Sequence, residues 1–229
     1  MKKFHYLVLI VIMFTLPLFG QKKEQDWPNL KEFQADNKEL PTPSADEERI
    51  VFMGNSITIG WKIARPTFFS NPAYVNRGIS GQTTPQMLVR FRADVVDLNP
   101  KVVVILAGTN DIAGNTGPSS LEMIMDNFKS MSEIAVANGI KVVLCSVLPA
   151  FDYPWRPGLD PANKIPALNA MIEDYADKND FIYLDYFSAM DDGNNGLLED
   201  LTYDGVHPNE AGYKVMEPLV LEVIAKALN

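Results

Sequence analysis

The sequence predicts an α/β fold of three layers, in which a parallel sheet of about five strands is covered by helices on both faces. Short, continuous apolar segments alternate along the chain with longer segments whose apolar residues recur at helical spacing. The short segments lack alternation of apolar and polar residues, as expected for strands buried on both faces. Strands that alternate with helices in this way favour a parallel sheet.

Five segments are predicted to form the strands: 50–53, 73–76, 102–107, 142–148 and 181–184. Helical spacing of apolar residues runs through 87–95, 121–134, 168–175 and 213–224. Thr84 and Pro85 suit the N-cap and first position of the earliest of these helices. The resulting expectation is a flavodoxin-like strand order, 2-1-3-4-5, in which ligands bind beyond the carboxyl ends of the strands.

The composition excludes several classes of partner and site. With 20 Lys and Arg against 29 Asp and Glu, the chain of 229 residues has a formal net charge of −9. This acidic excess argues against binding to nucleic acid or to anionic lipid. A single cysteine, Cys145, excludes an intramolecular disulfide. Because the histidines are only His5 and His207, we expect no zinc site, and neither a metal nor a cofactor.

The first twenty residues are expected to be a signal peptide rather than part of the fold. Lys2 and Lys3 precede an apolar run over 6–19 that ends at Gly20. This run is short for a membrane-spanning helix, although an uncleaved anchor is the alternative. No cysteine stands directly after the run, which argues against a lipoprotein. We therefore expect a secreted or periplasmic protein without stable membrane insertion after cleavage.

An N-terminal arm is predicted over 21–48, and a single domain over 49–229. The arm is polar and charged. Trp27, Leu30 and Phe33 are spaced as one apolar stripe of a short helix that Pro28 would open. We expect the arm to lie on the domain rather than to fold separately.

Residues that can carry chemistry follow the predicted strands. Ser56 lies on a tight turn after strand one, Gly78 follows strand two and Asn110 follows strand three. Each also has an ordinary structural interpretation, as a helix cap, a turn glycine and an Asx turn. His207 lies in a polar loop three residues after Asp204, where a carboxylate could orient an imidazole base. The alternative is a surface or core histidine without a catalytic role.

The expected strand order brings these residues to one edge of the sheet. Strand one would lie between strands two and three, so that Ser56, Gly78 and Asn110 become neighbours. The segment 187–206 is long enough to carry His207 back across three strand gaps, about 14 Å. This arrangement supplies a nucleophile, a base, and three donors to an oxyanion: the N–H groups of Ser56 and Gly78, and the amide of Asn110.

At these positions the chain resembles the SGNH, or GDSL-type, hydrolase family. The resemblance covers roughly 49–229 and rests on four blocks in order: Gly54-Asn55-Ser56-Ile57, Gly78, Gly108-Thr109-Asn110-Asp111 and Asp204-Gly205-Val206-His207-Pro208. It implies Ser56 as nucleophile, His207 as base and Asp204 as its orienting acid, with Gly78 and Asn110 as oxyanion donors. One departure is Asn55, where the family usually has Asp.

The resemblance implies a secreted serine esterase that works through an acyl-enzyme. Its substrate would be a small ester or an acylated glycan, with O-acetyl groups on carbohydrate ranked first. Trp61, Tyr153 and Trp155 are candidates for stacking on a sugar or lining an acyl pocket, although such aromatics can equally anchor loops. A lysophospholipase or thioesterase-type acylhydrolase is the nearest alternative.

Two interpretations from other classes remain open at this point. A non-catalytic SGNH module could hold a glycan through its aromatics, although the intact serine, histidine and aspartate argue against it. A flavodoxin-like cofactor binder would need a phosphate-cradling loop after strand one. Residues 54–58 contain only one glycine, which disfavours that second interpretation.

Overall fold

A computed structural model describes residues 26–229, and the expected signal peptide lies outside the described residues. The sheet is parallel and has the order β2-β1-β3-β4-β5, which confirms the predicted flavodoxin-like arrangement. Its strands are β1 (Ile50–Gly54), β2 (Tyr74–Gly78), β3 (Val102–Leu106), β4 (Lys141–Cys145) and β5 (Ile182–Leu184).

Helices cover both faces of this sheet. They are α1 (Gln34–Glu39), α2 (Ser56–Ala64), α3 (Thr84–Asp94), α4 (Thr109–Ile112), α5 (Leu121–Ala137), α6 (Pro161–Lys178), α7 (Phe187–Met190) and α8 (Glu210–Leu228). Buried side chains of α3, α5 and α6 pack in one apolar core, and those of α2 and α8 pack in a second. Along β1, Val51 and Met53 enter the first core while Ile50 and Phe52 enter the second, so successive residues face opposite layers.

The register of the central strands sets the position of the loops that follow them. Gly54, the last residue of β1, pairs with Gly78 of β2 on one side and with Leu106 of β3 on the other. The three strands therefore end at the same level of the sheet. The chain therefore leaves the sheet at three adjacent points, which lead to Ser56, to the loop after Gly78 and to Asn110.

β4 ends earlier than the predicted strand 142–148, because side chains and not a neighbouring strand supply several of the hydrogen bonds after Cys145. After Cys145, the Ser146 hydroxyl accepts the N–H groups of Tyr186 and Phe187. The Asn169 side chain then pairs with both backbone polar groups of Val147. Side-chain hydrogen bonds thus satisfy backbone N–H and carbonyl groups of this buried segment, where no neighbouring strand continues.

The helix predicted from Pro28 onward is wrong. The Asp26 carboxylate accepts the N–H groups of Leu30 and Lys31, which holds this segment in turns, and α1 begins only at Gln34. Of the expected apolar stripe, Trp27 and Leu30 are exposed and only Phe33 is buried. Local capping by aspartate thus outweighs the helical spacing of three apolar side chains.

The chain segment before β1 lies against α3. Side-chain amides of Gln82 and Gln86 donate to backbone carbonyls of Pro28 and Trp27, and Asn37 donates to the Ala93 carbonyl. Across residues 26–229, no helix combines the length and apolar character required to cross a membrane.

Candidate active site

Ser56 is the first residue of α2, directly above the carboxyl end of β1. Asn55 is the N-cap of this helix, and its side-chain oxygen accepts the N–H of Ile57 at 3.1 Å. The cap interaction explains how asparagine serves at a position where aspartate was expected, since both side chains can accept this hydrogen bond. The Ser56 side chain contacts a residue near the opposite end of the chain.

That contact is with His207. The Ser56 Oγ lies 3.0 Å from the His207 Nε2, across a separation of 151 residues. A loop closed by the Tyr203 N–H and the Thr202 hydroxyl, both donating to the His207 carbonyl, presents the imidazole. The His207 side chain is partly exposed to solvent. The structure therefore brings together the predicted nucleophile and the predicted base.

Asp204 completes a chain of three groups. Its Oδ2 lies 2.8 Å from the His207 Nδ1, while Oδ1 accepts the N–H groups of Val206 and His207 at 3.0 and 2.8 Å. Partial burial acts to raise the pKa of Asp204, but these hydrogen bonds outweigh it and the pKa lies below its usual value. The carboxylate is thus charged and fixed in orientation beside the imidazole.

The structure does not support the predicted role of Gly78. Its N–H already donates to the Asn76 side-chain oxygen at 3.0 Å. A Cβ at this position would lie 2.3 Å from the backbone nitrogen of Ile59 and 2.8 Å from the carbonyl oxygen of Asn55. Gly78 is therefore required for close packing of β2 against the start of α2, and its N–H is not free for an oxyanion.

Gly81, three residues further along the same loop, fits that role better. It has a φ of +76°, which favours glycine, and it is exposed at the edge of the sheet. Its carbonyl accepts the Asn115 amide, and the next carbonyl, of Gln82, accepts the Asn110 amide, both at 3.0 Å. In the sequence, the only signal for Gly81 is that it is the second glycine of this loop.

Asn110 is buried in α4, beside the Gly81 loop. Its amide nitrogen reaches Gln82, 28 residues away, rather than closing a local Asx turn. This hydrogen bond to a carbonyl identifies the nitrogen side of the amide. An amide nitrogen carries two hydrogens, so one remains for a ligand.

The neighbouring Asp111 is a buried carboxyl that the sequence reasoning did not single out. Its oxygens accept the Thr84 N–H at 3.0 and 3.1 Å and the Thr84 hydroxyl at 2.6 Å. Burial raises its pKa to about 6, although these hydrogen bonds act in the opposite direction. Asp111 therefore fastens the start of α3 to the loop that carries Asn110.

Two of the three aromatic candidates are buried, which corrects their expected contact with substrate. Trp61 is 2% exposed and stacks with Phe68 and Tyr213 in the core beneath α2. Tyr153 is 0% exposed, and its hydroxyl lies 3.0 Å from the Thr109 hydroxyl. Both side chains therefore support the site from within rather than facing a ligand.

Trp155 differs from the other two. Its ring is 46% exposed and stacks on Tyr153, with 5.3 Å between the ring centroids. The same indole lies 5.8 Å from the His207 imidazole. Trp155 thus forms an exposed wall beside the histidine.

Comparison with known proteins identifies the family. The family model of the GDSL-like lipase/acylhydrolase family matches residues 52–215, well over half of the chain. The chain belongs to this family. Lipases and acylhydrolases cleave carboxylic esters, so the chain is placed among the carboxylic ester hydrolases.

Similar proteins with solved structures share both fold and sequence. A GDSL-like lipase from Bacteroides thetaiotaomicron is 47% identical, with a TM-score of 0.85 over 87% of this chain and 98% of that one. A proposed acylhydrolase from Bacteroides fragilis is 48% identical, with a TM-score of 0.88 over 90% of this chain and 100% of that one.

A curated relative is the acetylxylan esterase of Xylanibacter ruminicola. It is 26% identical over 226 residues, a match that takes in 83% of this chain and 45% of the relative. The chain therefore spans less than half the length of that enzyme.

Proposed function

We propose that the chain is a serine esterase that removes short acyl groups, above all O-acetyl groups of carbohydrate, through an acyl-enzyme. The observation that carries the proposal is the continuous line of contacts from the Ser56 Oγ through His207 to Asp204, at 3.0 and 2.8 Å. A serine hydroxyl is a weak nucleophile until a base within hydrogen-bond reach takes its proton.

The first half of the proposed reaction acylates the serine. The His207 Nε2 accepts the Ser56 proton as the Oγ attacks the ester carbonyl, and the charged Asp204 stabilises the imidazolium. The tetrahedral intermediate collapses when His207 returns the proton to the leaving alcohol. In the second half, His207 activates water, which releases the acid and regenerates the serine.

The oxyanion of each tetrahedral intermediate needs fixed donors. We assign these to the N–H groups of Ser56 and Gly81 and to the free amide hydrogen of Asn110, replacing Gly78. The Ser56 N–H belongs to the first turn of α2, where backbone N–H groups lack helical partners. Loss of one such donor typically lowers kcat by about 10²–10³-fold.

Two observations favour a carbohydrate ester as substrate. The exposed indole of Trp155 lies beside His207, where a flat apolar face can pack on a sugar ring. The curated relative from Xylanibacter ruminicola is named an acetylxylan esterase.

We also propose that residues 1–20 direct export, that 21–48 form an arm, and that 49–229 form the hydrolase domain. The basic start at Lys2 and Lys3 and the apolar run over 6–19 support export. After removal of residues 1–20, the mature protein would act on acylated glycans outside the cytoplasm.

The proposal is tested with p-nitrophenyl acetate, butyrate and octanoate. We expect wild-type turnover to be greatest on acetate and to fall by about 10³-fold or more in Ser56→Ala. Ser188→Ala, which removes an exposed hydroxyl from α7, is the matched control and should retain wild-type rates. Preference for octanoate would favour a lipase or lysophospholipase. Equal inactivity of wild type and Ser56→Ala on all three esters would favour a glycan-binding module.

A further inference from the structure

Arg90 is a buried cation that the proposed chemistry does not use. It lies on α3 with 0% of its surface exposed. Its guanidinium donates to the Gln82 side-chain oxygen at 2.5 Å and to the Asp94 carboxylate at 2.9 Å. It also donates to the carbonyls of Gly54 and Arg77, at 3.1 and 2.8 Å. One side chain thus joins the ends of β1 and β2 to the loop that follows β2.

Gln82 connects this guanidinium to the proposed oxyanion donors. Its side-chain oxygen accepts from Arg90, and its side-chain nitrogen donates to the Pro28 carbonyl at 2.8 Å. Its backbone carbonyl accepts the Asn110 amide at 3.0 Å. Because Gln82 directly follows Gly81, any displacement of Gln82 moves the Gly81 N–H and the acceptor of Asn110 together.

The segment before β1 closes the network from outside. The Asn37 side chain accepts two hydrogen bonds from the Arg77 guanidinium, at 3.0 and 2.7 Å, and donates to Asp94 at 2.8 Å. The Phe33 ring lies under two cations, with its centroid 4.6 Å from the Arg77 guanidinium carbon and 6.0 Å from that of Arg90. These contacts anchor the segment at the buried cations.

Because many of these contacts are polar, the segment before β1 does more than cover the apolar core. Trp27 and Leu30, the large apolar side chains at the start of the segment, remain exposed, and only Phe33 is buried. Leu40 packs against the apolar core at the end of the segment, while Pro28 and Asn37 make hydrogen bonds to Gln82, Arg77 and Asp94.

We infer that residues 26–40 are a positioning part of the active site, which holds the Gly81 N–H and the Asn110 amide in place through Gln82 and Arg90. The inference rests on the proposed function, because it requires that these groups receive the oxyanion. Donors stabilise a developing charge only when they are held in place beforehand, and a misplacement of about 1 Å can lower a rate by about 100-fold.

The test compares two isosteric substitutions. Gln82→Glu keeps the oxygen that Arg90 binds but removes the donor to Pro28. Gln86→Glu keeps the oxygen that caps Thr83 but removes the donor to Trp27, at 2.6 Å in the structure. Both therefore break one hydrogen bond to the same segment. Gln82, however, directly follows Gly81 and its carbonyl accepts the Asn110 amide, whereas Gln86 holds Thr83, two residues after Gly81.

For p-nitrophenyl acetate, we expect kcat to fall about tenfold in Gln82→Glu with KM changed less than about twofold, and both to stay within about twofold of wild type in Gln86→Glu. The rate at which a fluorophosphonate labels Ser56 should fall by the same factor, because that reaction uses the same donors. Circular dichroism and thermal unfolding verify that each variant is folded. Should Gln82→Glu not fold, Phe33→Leu replaces it, with kcat expected to fall about threefold at unchanged KM.

Several results would overturn the inference. They are wild-type kcat and labelling in folded Gln82→Glu, a loss that lies in KM alone, or equal losses in Gln82→Glu and Gln86→Glu. Wild-type kcat in Phe33→Leu would overturn it if Gln82→Glu does not fold. A wild-type protein that neither hydrolyses esters nor is labelled at Ser56 would instead remove the proposed function, and this inference with it.

Discussion

Single carboxyl groups in this molecule are placed in two contrasting environments. Asp204 receives backbone hydrogen bonds in a partly exposed loop, which keep its pKa low, whereas burial raises the pKa of Asp111 to about 6. One group is thus kept charged beside His207. The other becomes charged in the folded protein only at higher pH than in the unfolded chain, which gives stability a distinct pH dependence.

The raised pKa of Asp111 predicts a loss of stability between about pH 4 and pH 6. In this window the folded protein binds the Asp111 proton more tightly than the unfolded chain, so the free energy of unfolding falls as pH rises. Asp111→Asn removes the titration. Because an amide does not ionise, we expect the free energy of unfolding of the wild type, relative to that of the variant, to fall by about 1–3 kcal/mol from pH 4 to pH 6.

Urea unfolding at intervals from pH 4 to pH 7 measures this difference. Asp97→Asn, which changes an exposed carboxyl outside the site, controls for general effects of charge. If the free energy of unfolding of the wild type, relative to that of Asp111→Asn, stays constant or rises with pH, the pKa of Asp111 is not raised in the folded protein.

At the scale of elements, the loop between β4 and α6 is held at several points beneath Trp155. The Tyr153 hydroxyl contacts Thr109, and the Arg156 guanidinium donates to the carbonyls of Ala113 and Gly114 at 2.8 Å. The loop therefore presents the Trp155 indole from a fixed base. This arrangement suits a side chain that selects substrate.

Substitution of Trp155 should therefore separate glycan substrates from small esters. We expect Trp155→Ala to raise KM for acetylated xylo-oligosaccharides by about tenfold, the loss of one aromatic contact, while kcat/KM for p-nitrophenyl acetate stays within about threefold of wild type. Phe151→Ala, which removes another exposed aromatic from the same loop, is the control and should leave both substrates unchanged. Equal effects of Trp155→Ala on both substrates would argue against a sugar-binding role.

The elements themselves were predictable to the extent that burial fixes them. Four strands were predicted because their segments are continuously apolar, and α3, α5, α6 and α8 because their apolar faces repeat. β2 contains Asn76 and Arg77, and its predicted segment 73–76 ended two residues short of Gly78. The short helix expected from Pro28 was wrong because the Asp26 carboxylate caps turns there, which a pattern of three apolar residues does not reveal. Strand four was predicted too long, since Asn169 satisfies an apolar segment that has left the sheet.

At the scale of the molecule, strand order brings distant residues together. The order β2-β1-β3 places three loops side by side, and the return of the chain after β5 sets His207 against Ser56, which the length of the segment 187–206 allows. The sequence shows both Gly78 and Gly81 but does not indicate which of their N–H groups is free. The choice between them depends on which N–H already has a partner, and only the three-dimensional structure identifies Asn76 as the partner of Gly78.

The burial of individual side chains could not be predicted from the sequence either. Trp61 lies close to Ser56 in sequence and Tyr153 contacts Thr109 in space, but both rings are buried in the core. Arg90 occupies a helix where a charged residue is usually solvated, yet it is enclosed by Gln82, Asp94 and two carbonyls. Such interior polar networks have no periodic signature, so they emerge only when all of the packed elements are known.

The most direct test of the proposed mechanism is to identify the acylated residue. Wild-type protein is mixed with p-nitrophenyl acetate, quenched with acid during turnover, and digested for peptide mass spectrometry, with Ser56→Ala treated in parallel. The proposal predicts an acetyl group on Ser56 that forms and disappears at rates consistent with kcat, and that is absent from the variant. Ester hydrolysis by the wild type that persists undiminished in Ser56→Ala, with acetyl found on other residues, would contradict it.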